Sequence, residues 1–467
     1  MKMQPNKPPN LAALLAPQRT RTDIAISDAG RRIDFGAALS STCLRDTAID
    51  LAGKSILLAT PDQLTTALAL IELDGVASRL VLCPADVDHG HFKSIVETAG
   101  IEVIICGDDV SAFTGLGVPV VRAGPSLTTR PPRDVASRRT EWVLLTSGTT
   151  STPKLVQHDL ASLIAPIKVS TNASDTTVWA TFYDIRRYGG LQIFLRAMVG
   201  GSSMILSTAG EPVEAHLARL GRDGVTHISG TPSHWRRVLM SGAAHAMAPR
   251  YVRLSGEIAD QGILDALKAA YPDTGISHAY ASTEAGVGFN VIDGQEGFPA
   301  SLVNDGDADS DVGIRIDQGT LRIRSPRTAA RYLGLSQPSI PGPDDFVDTG
   351  DQVELRGDRY VFVGRRGGII NVGGQKVHPE EIEMTINRHP AVQVSLVRAR
   401  RSPITGALVV ADVVVKPSAP TVGSESLAKD ILAHCRKTLR PYKVPTRIRF
   451  VPHLDVAATG KLVRPNE

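Results

Sequence analysis

The sequence is poor in cysteine, in net charge and in long apolar runs. Its four cysteines, Cys43, Cys83, Cys106 and Cys435, lie far apart and form no CxxC or Cys/His metal spacing. They read as reduced core thiols of a cytoplasmic protein. Formal net charge is only +3, from 51 basic and 48 acidic residues. A nucleic-acid partner would leave a basic excess or stripe, so that class is set aside. The longest apolar runs, such as "SILLAT" and "IEVIICG", are strand-sized and far short of a membrane span. The opening "MKMQPNKPPN" has no apolar stretch of the kind a secretory signal needs. There are no internal repeats and no low-complexity tract.

What is present is ordinary globular material, 42% apolar and 21% charged. A chain of 467 residues outgrows one compact core and predicts two or three domains. After a polar, Pro-rich arm over residues 1–20, "SILLAT", "RLVLCPA", "IEVIICG" and "VPVVRAG" read as buried strands. Helices fall between them, one capped by Asp62 and stopped near Gly75, one ending at Gly100. Short apolar strands alternating with helices predict an α/β fold whose sheets are rich in parallel strands. Near Pro299–Gly319 the texture changes. "GIRIDQGTLRIRSP" and "DQVELRGDRYVFVG" alternate apolar and polar residues around Asp317-Gln318-Gly319 and Gly357-Asp358, which predicts two hairpins. The order helix, strand, strand, helix then follows in "HPEEIEMTINRHP", "VQVSLVRA", "LVVADVVVK" and "SLAKDILAHCRKTL". We therefore divide the chain into a large N-terminal unit, residues 1–364, with a small β region, and a small α+β unit, residues 365–467.

Five short stretches carry chemistry. "LLTSGTTSTPKLVQHD" (Leu144 to Asp159) follows the apolar "WVLL" and precedes a helix expected from Asp159. Its hydroxyls and backbone amides suit phosphate oxygens, with Lys154 adding a mobile charge. A solvated Ser/Thr-rich loop has the same composition, and the spacing is not that of a Walker loop. "HAYASTEAG" (His278 to Gly286) offers an aromatic face, hydroxyls and a carboxylate of the kind Mg²⁺ takes, or else a strand end with a solvated Glu. "VDTGD" ends in Asp351, and "GRRGGIINVGGQKVHPEEIE" begins with Gly364-Arg365. This acid and cation flank a hairpin and suit a ribose diol, or are a surface pair on a turn. Lastly, "ATGKLVR" places Lys461 near the C-terminus, where a solvated tail lysine is the plain alternative.

In order and spacing, "LLTSGTTSTPK", "YASTEAG", "VDTGD", "GRRGGIINVGGQKVHPEEIE" and "ATGKLVR" resemble the core motifs of the adenylate-forming superfamily over residues 140–464. That superfamily holds acyl- and aryl-CoA synthetases, adenylation domains of peptide synthetases, and luciferases. The resemblance implies a ligase that couples a carboxylic acid to ATP, giving acyl-AMP and pyrophosphate, and then passes the acyl group to CoA. It assigns Thr146, Ser147, Gly148, Thr149, Thr150 and Lys154 to the phosphates of ATP. Ser255, Gly256, Glu257, Tyr280, Ala281 and Ser282 go to the nucleotide, with Tyr280 as the ring that stacks on adenine. Thr283 contacts the α-phosphate, Glu284 is the Mg²⁺ ligand, and Asp351 with Arg365 holds the ribose. Lys461 bridges the substrate carboxylate and the α-phosphate, on a small unit that rotates between the two half-reactions.

The sequence departs from the family pattern at several positions. Ser151 and Leu155 stand where glycines are usual, and the hinge position falls at Gly367 beside Gly368. "TFYDIRRYGGLQIFL" replaces an aromatic-His pair. Asp184 in it either meets a substrate ammonium or is neutralised by Arg186 or Arg187. Tyr183, Asp184, Gly190, Trp235 and Gly286 are the residues expected to line the acid pocket, which suits an aromatic or medium-chain acid. Two other functions stay open: delivery of the acyl group to a separate carrier protein, and nucleotide binding without catalysis. "VRARRSP" (Val397 to Pro403) is either a CoA-phosphate contact or a solvated basic turn. The reading involves no membrane, and it leaves the oligomeric state open, a homodimer included.

Overall fold

The computed structural model describes residues 10–45, 48–130, 138–146, 153–165, 167, 177–304, 311–334, 339–402, 406–416, 423–457 and 460–463. Two eight-stranded sheets and a five-stranded sheet make up the large unit. In the first sheet the parallel run is Glu141–Thr146, Arg79–Leu82, Ser55–Ala59, Val103–Cys106 and Val120–Thr129. In the second it is Gly275–Ser282, Tyr251–Ser255, His227–Gly230, Val178–Thr181, Ser203–Ile205 and Ala25–Ser27. The five-stranded sheet is antiparallel and contains both expected hairpins, Gly313–Asp317 with Thr320–Arg324 and Val347–Arg356 with Arg359–Arg365. Gln318 and Gly319 both take positive φ at the first turn, as a two-residue hairpin requires.

The helix Gln63–Leu73 is buried on every side, although it carries Thr65, Thr66 and Glu72. A helix covered all round belongs between layers, and its polar groups must find partners there. They do: Asp62 caps it by accepting from the Thr65 amide at 2.8 Å, and Gln63 Oε1 accepts from the Ile185 amide at 2.8 Å. The second bond ties the first sheet's helix to the loop at Tyr183–Arg187 and so fixes the back of the site. The helix Phe92–Ala99 ends at Gly100 in the left-handed conformation, as its sequence predicts. All four cysteines are buried and unpaired, and burial pushes the Cys43 thiol up to about 12.

The loop in "LLTSGTTSTPKLVQHD" differs in context from the sequence expectation. The helix Leu160–Ile164 does begin after an Asp159 cap, but the strand Lys154–Asp159 precedes it and pairs antiparallel with Glu141–Thr146. The two strands thus form a hairpin that closes with Thr146 opposite Lys154. Burial alternates only from Val156 to Asp159, and so short a stretch cannot separate a strand from the approach to a helix by pattern alone.

The small unit follows the expected order. Helices Pro379–Asn387 and Ser424–Thr438 pack on the sheet Val392–Ser402, Gly406–Val415 and Arg447–Phe450, around a core of its own that includes Ile382, Ile386, Val397, Ala411, Val413 and Ile431. No helix among the described residues is long and apolar enough to cross a membrane.

Candidate active site

Three corners converge. The first comes from strand register. Asp351 and Arg365 are cross-strand partners, so Arg365 Nε reaches Asp351 Oδ1 at 2.9 Å while its guanidinium also donates to the Thr349 carbonyl at 3.0 Å. The other carboxylate oxygen accepts from Tyr280 Oη at 2.6 Å. Burial, and then the Asp351 charge, push the Tyr280 phenol well above its ordinary value, so it stays a donor. Its ring stacks on Phe289, 5.6 Å away, and on Phe362, 5.7 Å away.

The second corner lies beside the hairpin tip. The strand Arg331–Leu333 pairs with Lys154–Asp159 and brings Tyr332 to the site. The Lys154 ammonium lies 5.3 Å from the Tyr332 ring centre, and Tyr332 Oη donates to Glu284 Oε1 at 3.2 Å. One residue back, the Thr283 carbonyl accepts from His158 Nε2 at 2.8 Å. Burial lowers His158 to about 4, so its ring is neutral, and the carbonyl acceptor assigns the proton to Nε2. The turn closes where Ser282 Oγ accepts from the Ala285 amide at 2.9 Å. Tyr332 and His158 were not among the expected site residues. His158 lies inside a quoted motif, but its partner is 125 positions away, and "RYL" around Tyr332 carries no local signal.

The third corner is a tight turn at the end of the chain. Ala457 donates its amide to the Lys461 carbonyl at 2.8 Å, and Val456 bridges Leu462. This turn drives Lys461 into the large unit. Its Cε lies 3.8 Å from where a Cβ on Gly256 would be, and Tyr183 Oη lies 4.0 Å from the same point. Tyr183 Oη itself donates to the Ser255 carbonyl at 2.6 Å. Burial lowers Lys461 from its ordinary value; Glu257 opposes that most, and Asp351 and Glu284 oppose it as well. The ammonium therefore feels carboxylates from all three corners.

Other expected residues fall elsewhere. Ser147, Gly148, Thr149 and Thr150 lie outside the described residues, whereas Thr146 and Lys154 flank the tip. Trp235 is fully buried, edge-on to Phe182 and Tyr271, so it backs the wall rather than lining it. Gly190 lies where a side chain would strike the Asp184 carbonyl, and Gly286 where one would strike Arg327. Both are glycines of close packing, not pocket lining. Asp184 is held by Arg186 through both carboxylate oxygens at 2.7 to 3.1 Å, while Arg187 pairs with Asp86. Its charge is neutralised within the protein, which removes it as an ammonium receptor. At the expected hinge, Gly367 has open space around it, and the position that needs glycine is Gly364, with φ +146 and Glu380 and His378 against it. In "VRARRSP", Arg398 shares Asp412 with Arg449, and Pro403 lies outside the described residues.

A sequence family described as AMP-binding enzyme matches residues 56–331, and its C-terminal domain matches residues 381–461. The chain belongs to the AMP-binding enzyme family. Among curated AMP-binding relatives, the mitochondrial acyl-coenzyme A synthetase ACSM4 of Rattus norvegicus is 26% identical over 348 residues. That match covers 69% of this chain and 59% of the relative, so the chain spans under two thirds of that protein's length. A 2-succinylbenzoate–CoA ligase of Listeria innocua is 26% identical over 70% of this chain and 69% of its own. Among solved structures, the anthranilate CoA ligase AuaEII with anthranoyl-AMP superposes at a TM-score of 0.78 and 20% identity, over 99% of this chain and 97% of that one. A benzoate CoA ligase from Burkholderia xenovorans LB400 gives 0.75 and 20%, over 97% and 99%. At these identities the superpositions establish the AMP-binding fold, a large N-terminal and a small C-terminal unit.

Proposed function

We propose that this chain activates a carboxylic acid with ATP and transfers the acyl group to CoA. One observation carries the reading: the Lys461 stem lies against Gly256, and carboxylates from three separate elements, Glu257, Asp351 and Glu284, act on its charge. A compact positive charge set among these carboxylates suits a reaction that must neutralise oxygens on two reactants at once. In the first step a substrate carboxylate oxygen bonds to the α-phosphorus of ATP, the bond to the pyrophosphate oxygen breaks, and pyrophosphate leaves. Lys461 neutralises the oxygens on both reactants, and Lys154 with the Thr146–Lys154 tip holds the leaving phosphates. Asp351 and Arg365 take the ribose hydroxyls, in which role Asp351 exchanges the Tyr280 phenol for a substrate hydroxyl or shares its two oxygens between them. In the second step the CoA sulfur bonds to the acyl carbon, AMP leaves, and the thiol proton is released to solvent. With the chain divided at residues 364 and 365, Lys461 belongs to the small unit, which in this reading turns between steps.

Glu284 fits Mg²⁺: Oε1 touches Tyr332, Oε2 is available as a hard oxygen ligand, and no three-residue metal cluster exists among the described residues. Most ligands would then be phosphate and water, which is how Mg²⁺ is commonly held, and the bound ion would supply charge neutralisation at the phosphates. The acid class we propose is aromatic or medium-chain. Phe182 stacks on His234 at 5.3 Å beside Tyr183, giving the pocket wall flat rings, and the superposed AuaEII and benzoate ligases act on aromatic acids by name. The test is pyrophosphate release across aromatic, aliphatic and amino acids, with and without CoA. Release with aromatic or medium-chain acids and thioester with CoA is expected. Release from no acid overturns the reading, and a stall at acyl-AMP relieved only by a pantetheinylated carrier protein replaces CoA with that acceptor.

A further inference from the structure

Lys461 has a flexible four-carbon stem, so where its ammonium sits depends on where its main chain is held. Both neighbours of Lys461 are held, and both by the N-terminus of one helix, Pro232–Met240, and the loop beside it. On one side, Thr231 Oγ1 donates to the Gly460 carbonyl at 2.6 Å. On the other, Glu257 Oε1 accepts from the Leu462 amide at 3.2 Å. Gly460 takes φ +75 with its backbone against the His234 ring, where any Cβ would collide.

Thr231 and Glu257 are also bonded within the large unit. Thr231 is the helix cap: its Oγ1 accepts from the His234 amide at 3.0 Å, and the Thr231 amide donates to His234 Nδ1 at 3.2 Å. Glu257 accepts from the Ser233 amide and hydroxyl, both at 2.9 Å. The Ser233 amide holds Glu257 whether or not the Ser233 hydroxyl is present, and Thr231 Oγ1, also 3.0 Å from His234 Nδ1, reaches the tail as Glu257 does. The tail is held there by its main chain at Gly460 and Leu462, while the Lys461 ammonium also feels the Glu257 charge, so Gly460→Ala is the variant that tests the main-chain contact with that charge left in place.

We propose that Thr231 and Glu257 are positioning residues which clamp the main chain on either side of Lys461 and so set its ammonium for acyl-AMP formation. This rests on the acid-activating function above. The clamp acts in one half-reaction only, because the second requires the tail to leave. It also gives Glu257 a role different from the nucleotide contact that family resemblance implies.

The experiment measures both half-reactions of the full chain: pyrophosphate release with benzoate, or hexanoate where benzoate is not turned over, and thioester formation from supplied benzoyl-AMP or hexanoyl-AMP with CoA. Glu257→Gln weakens one charge-assisted bond and is expected to slow the first about tenfold while sparing the second. Gly460→Ala, which cannot seat against His234, is expected to show the same split with a larger loss. Ser233→Ala removes a local partner of Glu257 but no tail contact, and is expected to leave the ratio of the two rates unchanged. Equal slowing of both half-reactions by Glu257→Gln, or the same split from Ser233→Ala, assigns Glu257 to helix capping and overturns the clamp. A wild-type chain that forms acyl-AMP from no acid overturns the functional reading and the clamp with it; an active wild type with an unaffected Glu257→Gln overturns the clamp alone.

Discussion

At the Asp351 corner the site is made by strand register; at the Lys461 tip it is made by contacts 205 and 229 positions apart in the chain. Asp351 faces Arg365 because the hairpin Val347–Arg365 zips in one way, and separating them means unzipping a ladder. Lys461 is present because a turn is held by a few hydrogen bonds, each worth roughly 0.5–1.5 kcal/mol net. An ion pair between Arg388 and Glu296 adds another contact between the small unit and the large one. The first arrangement takes a whole ladder to undo, and the second only a few bonds. Groups needed throughout a reaction belong on the first kind of support, and groups needed for one step belong on the second.

That contrast can be broken. The largest effect is expected from Lys461→Ala: pyrophosphate release should fall about a thousandfold, as when a main charge stabiliser of a reaction is removed, while thioester formation from supplied acyl-AMP continues. Equal loss in both assays breaks the contrast. Asp351→Ala should instead slow both half-reactions, since ATP and acyl-AMP share the ribose, with a loss of about a hundredfold in kcat/KM for ATP. Loss in only one half-reaction would show that the corner, too, is used once.

A charge that belongs to neither support sharpens the comparison. Asp184→Asn leaves Arg186 buried opposite a neutral amide, and should cost about 2 kcal/mol in denaturant unfolding without reordering preferred acids. Selective loss of amino-bearing substrates would return Asp184 to the pocket. The smallest effect concerns the frame beneath both supports. Asp74 accepts from Trp142 Nε1 at 2.9 Å and from the Leu11 amide at 2.8 Å, and burial raises it to about 6. The folded state therefore holds its proton where the unfolded chain, near 3.9, has lost it. The sign follows: Asp74's contribution is fully present below about pH 4 and declines as pH rises through 6. Asp74→Asn should flatten that part of the stability–pH curve, read from melting temperatures across pH 4 to 7; an unchanged slope would mean the carboxylate is ionised throughout.

Much of the frame was legible because its signals are local. Asp62 and Asp159 cap helices, Gly100 ends one, Gln318-Gly319 turns a hairpin, and each acts over a few residues. The order of motifs was legible too, and the structure brings Asp351, Arg365, Glu284 and Lys461 from those motifs near one another. Tertiary structure decided the rest. The rings of Tyr332 and His158 reach Glu284 and Thr283 across 48 and 125 positions, and no periodicity encodes that. The sequence left Asp184 either to a substrate ammonium or to Arg186 or Arg187, and the fold gives it to Arg186. Trp235, Gly190 and Gly286 looked like pocket lining because small and aromatic residues line pockets and fill close contacts alike. Which of the two they do depends on what packs behind them, and packing is set by distances between elements that the sequence does not carry. The sequence by itself determined which groups this protein possesses and in what local geometry; only the tertiary structure decided which charges were already spent on one another and which were left to face a substrate.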